Sequence, residues 1–175
     1  MQHTQSSQAE AAYAEKAQSN EKAREALSPQ QKARQERMSV LAHAQMAELI
    51  RLWKTLELDP GCELLRGPET GLVALRGRIG GGGAPFNFGE ATMTRATVRM
   101  ENGAIGHALM LGRDHGKAKL AAVIDAMASD PEMEVRIEMS ILAPLKKLAT
   151  DKDKGRAAQT QATRVNFFTM VRGDD

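Results

Sequence analysis

Apolar residues recur at three- and four-residue steps through Met38, Leu41, Ala42, Met46, Leu49, Trp53 and Leu56, with Gln45 on the same line. That spacing places one buried stripe along an α-helix and puts Trp53 in the core. Ser28, Pro29 and Gln31 supply the start: a side-chain cap, a proline at the first helical position and a capping-box partner. Asp59-Pro60-Gly61 supplies the stop. Then the period shortens. Glu63 to Arg66 predicts a short strand, Pro68-Glu69-Thr70-Gly71 a turn, and Leu72 to Ile79 a second strand. Thr92 to Met100 is rich in Thr and Val, and Ile105 to Leu111 alternates with its apolar residues at odd positions. Asn102-Gly103 between them predicts a hairpin with a type I′ turn.

The helical period returns over Lys117 to Ala128, with Leu120, Val123, Ile124 and Met127 as the buried face. Asp130-Pro131 separates this helix from another that begins near Glu132. Pro144 predicts a kink or restart inside it, because proline removes one intrahelical hydrogen bond and crowds the preceding turn. A polar helix follows from Leu145 to Ala162. From Thr163 to Arg172 the alternation of Val165, Phe167, Thr169 and Val171 with polar and apolar neighbours predicts a terminal strand that returns to the sheet. Residues 1–28 are rich in Gln, Ala, Ser, Glu and Lys and read as a polar, mobile tail. Residues 29–175 form one α+β domain, a mainly antiparallel sheet containing a hairpin and flanked by several helices.

Composition narrows the function. The net charge is +2 and aromatic residues make up 3%. Neither a dense basic surface nor a base-stacking platform is available, which argues against nucleic acid as the partner. No apolar run approaches the roughly 20 residues of a membrane helix, and no apolar signal core opens the chain, so the expected location is the cytoplasm. Cys62 stands alone in a turn before a strand. It excludes an intramolecular disulfide and a cysteine zinc cluster.

The run from Arg76 to Glu90 carries the most chemistry. Gly80, Gly81, Gly82 and Gly83 form a loop whose backbone N–H groups can face an anion, with Arg76 and Arg78 just upstream. No GK[ST] follows, and Ala84-Pro85-Phe86-Asn87 reads as loop, so neither a P-loop nor a dinucleotide fingerprint is present. A structural turn and a ligand site both remain open. Arg76 and Arg78 are spaced to share a strand face, as are Arg95 and Arg99. Planar guanidiniums suit phosphate or carboxylate; a plain solvated strand face is the alternative reading. Arg76, Arg78, the four glycines, Asn87, Arg95 and Arg113 are therefore the anion-binding candidates, with Thr92, Thr94 and Thr97 as hydroxyl donors. Glu90 and His107 are the candidate proton-transfer groups, although His107 alternates with Ile105 and Leu109 and so reads as a core histidine. His115, in the turn before a helix, reads either as a cap or anion contact or as a plain surface residue. No catalytic constellation and no metal site can be assembled from the spacing.

Four blocks together resemble a known family: MSVLAHAQMAEL (38–49), PETGLV (68–73), the run from Arg76 through LGRD to Asp114, and RVNFFTMVRGDD (164–175). The chain from about Arg34 to Asp175 is similar to the G subunit of the bacterial carbon–phosphorus lyase core complex, which serves phosphonate use under phosphate starvation. The resemblance implies an accessory, non-catalytic chain in a cytoplasmic hetero-oligomer. Its expected partners are the H, I and J subunits, the I subunit most directly, with the L subunit as a further one. The reaction implied is transfer of an alkylphosphonate to the ribose C1′ of ATP with displacement of adenine, giving alpha-D-ribose 1-methylphosphonate 5-triphosphate. ATP and the alkylphosphonate are then substrates of the complex, and this chain alone holds no cofactor. The alternative is a stand-alone nucleotide- or phosphate-binding enzyme built around the glycine loop.

Overall fold

The computed structural model describes residues 27–78 and 85–163. The glycine loop, the polar tail to residue 26 and the expected terminal strand beyond Thr163 lie outside the described residues. Helix α1 (Pro29–His43) begins as the sequence requires. The Ser28 hydroxyl accepts from Gln31 N–H at 3.2 Å, and the Gln31 side chain accepts from Ser28 N–H at 2.8 Å. The predicted single helix is nevertheless two. The chain turns extended at Ala44 and restarts as α2 (Met46–Lys54). Lys117 donates to the Ala42 carbonyl at 2.7 Å, occupying one of the acceptors that the helix end leaves open. The stripe survives the break: Leu41, Leu49, Leu52 and Leu56 are buried, and Trp53 packs against them half-buried.

Strand β1 (Cys62–Gly77) runs unbroken through the segment expected to turn at Pro68–Gly71. It lies at the edge of a three-stranded antiparallel sheet, β1-β2-β3, with β2 (Phe86–Met100) in the centre and β3 (Ile105–Leu111) at the other edge. The register steps from Arg66↔Thr97 to Glu69↔Arg95, so Gly67 and Pro68 are taken up by a bulge. An edge strand tolerates proline there because no ladder N–H is required. Strand β2 also begins earlier than expected, with Phe86 and Asn87 in the ladder rather than in a loop.

The β2–β3 hairpin stands as predicted, with a different turn. Gly103 N–H bonds to Met100 O, Met100 N–H bonds to Ala104 O, and only Gly103 takes positive φ, at 84°. That is a three-residue connection, a type I turn followed by a glycine bulge, rather than type I′.

Helix α3 (His115–Met127) lies against the inner sheet face and is buried along most of its length, at Ala118, Ala121, Ala122, Val123, Ile124, Asp125 and Ala126. Its closeness reverses the expected face of β3. Buried positions are Gly106, Ala108 and Met110, while Ile105, His107, Leu109 and Leu111 point outward. A Cβ on Gly106 would overlap the Ala122 carbonyl oxygen and the Ala126 nitrogen. Only a strand face of small residues admits a helix at that distance, so His107 is an outer-face residue and not a core histidine.

Helix α4 (Pro131–Ile137) passes through a π-helical turn (Glu138–Leu142) into α5 (Ala143–Ala162). Ala143 N–H bonds to Glu138 O, which absorbs the proline at Pro144 as a restart of the helix. From Lys147 onward α5 is exposed on every side.

Candidate functional site

Two transverse rows of side chains cross the outer sheet face. The register aligns Arg66 with Thr97 and Thr97 with His107 in one row, and Glu69 with Arg95 and Arg95 with Leu109 in the next. A single carboxylate oxygen, Glu69 Oε1, lies 3.1 Å from Arg66 Nε and 2.6 Å from Arg95 Nε. The bulge at Gly67-Pro68 creates this arrangement by shifting Glu69 opposite Arg95. Thr97 Oγ1 and His107 Nδ1 are 3.1 Å apart. Arg99 shares the face but pairs separately with Glu63, at 2.5 Å.

Helix α1 crosses the free edge of β3 and walls this face on one side. Asp125, with a side chain 1% exposed, holds the crossing. It accepts from Arg34 Nε at 3.0 Å and from a terminal Arg34 nitrogen at 2.6 Å. It also accepts from the His107 backbone N–H at 3.0 Å, which satisfies an edge donor of the sheet. The hydrogen bond to Asp125 raises the Arg34 pKa above its ordinary value, outweighing partial burial. Arg37, buried beside Asp125, bonds to Glu134 at 3.0 Å while its Nε has no partner among the described residues. The result is a groove of about 620 Å³ with Arg34, Arg66, Arg95, Thr97 and His107 on its polar side and Leu27, Met38 and Leu109 on its apolar side.

The other sequence candidates lie elsewhere. Beyond Thr92 and Leu111 the β1–β2 pair continues without β3 as a two-stranded arm. Arg76 faces Asn87 and Ala74 faces Glu90 along it, and all four are exposed. Arg78 follows the end of β1. Eight residues separate Asn87 from Arg95 along β2, about 27 Å at the antiparallel rise. The arm and the outer face are therefore two places, and Glu90 and His107 are not brought together. The arm also carries Phe86 and Phe88, edge-to-face at 6.3 Å between ring centres, with Phe88 against Gly77.

Arg113 is exposed in the turn after β3. Next to it a hydrogen-bond chain has a direction fixed by counting protons. Thr94 Oγ1 donates to the Gly112 carbonyl at 2.7 Å, so its bond with Thr70 Oγ1 at 3.1 Å must be donated by Thr70. Thr70 then accepts from His115 Nε2–H at 2.8 Å. This chain ties β1 to the first turn of α3, whose N-cap is Asp114. It uses the Thr94 hydroxyl internally, leaving Thr97 as the threonine that faces the groove.

Among the described residues no three metal-ligating side chains gather, and no helix is long and apolar enough to cross a membrane. Arg66, Glu69 and Asp125 were not singled out from the sequence. Asp125 had a signal, a carboxylate on the apolar side of a helix. Glu69 had none, because its position depends on the bulge.

Fold and site together define an α+β domain with a walled cationic groove on one sheet face and a β-arm that no described element covers. The chain belongs to the family of phosphonate metabolism protein PhnG, whose model matches residues 32–173. Over 142 residues it is 46% identical to a protein of Rhizobium meliloti (strain 1021), covering 81% of this chain and 90% of that one. That relative is named alpha-D-ribose 1-methylphosphonate 5-triphosphate synthase subunit PhnG.

Proposed function

We propose that the chain is an accessory, non-catalytic subunit of an alpha-D-ribose 1-methylphosphonate 5-triphosphate synthase. The complex would transfer an alkylphosphonate to the ribose C1′ of ATP and displace adenine. The observation that carries the structural side of this reading is the arm. A two-stranded ribbon is marginal in water on its own, and this one exposes Leu72 at 66%, Phe86 at 43% and Phe88 at 58%. Paired, rigid aromatic side chains on a projecting element are what a protein partner buries as an anchor. Family membership and the relative's name as a synthase subunit support the same reading.

The partners in this reading are the H, I and J subunits, with the I subunit in direct contact and the L subunit joining for the reaction. Affinity capture of the tagged chain from its host, grown on methylphosphonate without phosphate, tests it. Recovery of H, I and J in near-equal amounts is the expected result. Recovery of the chain alone, monodisperse and releasing adenine from ATP, would favour the stand-alone enzyme instead.

A further inference from the structure

We propose that the groove between α1 and the outer sheet face is a binding site for a tetrahedral phosphorus oxyanion, phosphate or phosphonate, gripped by Arg66 and Arg95. Both guanidiniums are engaged on their Nε side by the same oxygen, Glu69 Oε1. Neither makes a hydrogen bond through its terminal nitrogens to any described residue. Glu69 therefore acts as a positioning residue. It fixes two planar donors on adjacent rows of one face and leaves their outward N–H groups without a partner among the described residues. Such paired forks match the oxygens of a PO₃ group better than point charges do. One carboxylate against two arginines also leaves the cluster with a net positive charge to meet a dianion.

The surroundings continue the pattern. Thr97 lies in the same row as Arg66, and its hydroxyl meets His107 Nδ1 at 3.1 Å. Arg34 is held on the opposite wall by its two bonds to buried Asp125. The groove, at about 620 Å³, is far larger than a lone phosphate and falls within the range of small-molecule sites. Leu27, Met38 and Leu109 give the organic part of a ligand an apolar wall. The ligand class is thus a small organic molecule with a terminal phosphoryl or phosphonyl group. The arm and its glycine loop play no part in this assignment.

The test is calorimetric titration of the full chain with three separate probes, inorganic phosphate, methylphosphonate and ATP, at about 0.15 M ionic strength, where diffuse surface attraction is screened. Saturable one-to-one binding of at least one probe is expected, and the strongest of the three names the source of the oxyanion. Arg66→Gln and Arg95→Gln should each weaken that probe by at least about tenfold, because each removes a charge-assisted pair of donors. Arg99→Gln lies on the same face but outside the groove and should bind as the wild type does. Thermal melts of all variants separate loss of binding from loss of fold. No saturable binding of any probe, or equal weakening by Arg99→Gln, overturns the proposal. The site does not depend on the subunit reading: failed capture of partners with retained, arginine-dependent binding would leave it standing.

Discussion

Asp125→Asn tests the joint on which the groove depends. The side chain is 1% exposed and sits between Arg34, 47% exposed, and Arg37, 7% exposed. An amide of the same shape keeps one acceptor and turns the other oxygen into a donor, aimed at groups that are themselves donors. Arg37 then keeps only Glu134 as counter-charge, and either the His107 N–H or Arg34 loses its acceptor. Breaking a buried ion pair from one side costs about 3–5 kcal/mol. Because Arg34 is half exposed and can turn to water, the low end applies, about 3 kcal/mol. For a domain of this size that lowers Tm by roughly 10 °C. Urea unfolding of the purified chain, followed by far-UV circular dichroism and Trp53 fluorescence, measures the loss. Arg37→Met and the double variant complete a mutant cycle. The single substitutions should be non-additive by more than about 0.5 kcal/mol. A loss below about 1 kcal/mol, or plain additivity, would refute the claim that Asp125 is a buried hub.

Gly106→Val should destabilise by about 3 kcal/mol or more, because the added carbons meet α3 backbone rather than a flexible side chain; the same unfolding assay reads it. Ser28→Ala removes the hydroxyl that accepts from Gln31 N–H, while the bond from the residue-28 backbone N–H to the Gln31 side chain can persist; it should cost about 1 kcal/mol, seen as a small fall in the urea midpoint. Lys146 is held by Glu36 at 2.6 Å and Glu138 at 2.9 Å, and these bonds raise its pKa above the ordinary 10.5. A raised lysine contributes its stability in full below the ordinary value and loses it as pH rises through the folded-state value. Lys146→Met should therefore differ from wild type by a constant amount of at most about 1 kcal/mol, since the pair is at the surface. That gap should close only above pH 10.5, as denaturation at a series of pH values would record. Phe86→Ser with Phe88→Ser should leave the melting curve of the chain within about 2 °C of wild type, since both rings are exposed, while reducing partner capture.

What could be read in advance was local. The Ser28–Gln31 box, the Asn102-Gly103 hairpin and the Asp130-Pro131 helix boundary depend on residues within three or four positions, and all are present, the hairpin with a different turn. At the break, the Ala42 carbonyl is met by Lys117 from far along the chain, and no short window of sequence contains both. The face of β3 was read from hydrophobicity, yet packing distance decided it. Gly106 and Ala108 face inward because α3 needs space, and Ile105, Leu109 and Leu111 are left outside. The groove was half legible. Arg95 stood out as an arginine on a strand, but its partners Arg66 and Glu69 are set by a bulge that the Pro68 segment disguised as a turn.

The most direct measurement is adenine release from ATP and methylphosphonate by the H, I and L subunits, reconstituted with and without this chain. The account predicts little release without it, full release on adding the wild-type chain, and weak restoration by the Phe86→Ser, Phe88→Ser arm variant. Adenine release by the purified chain alone, or full release in its absence, would contradict the assignment as an accessory subunit.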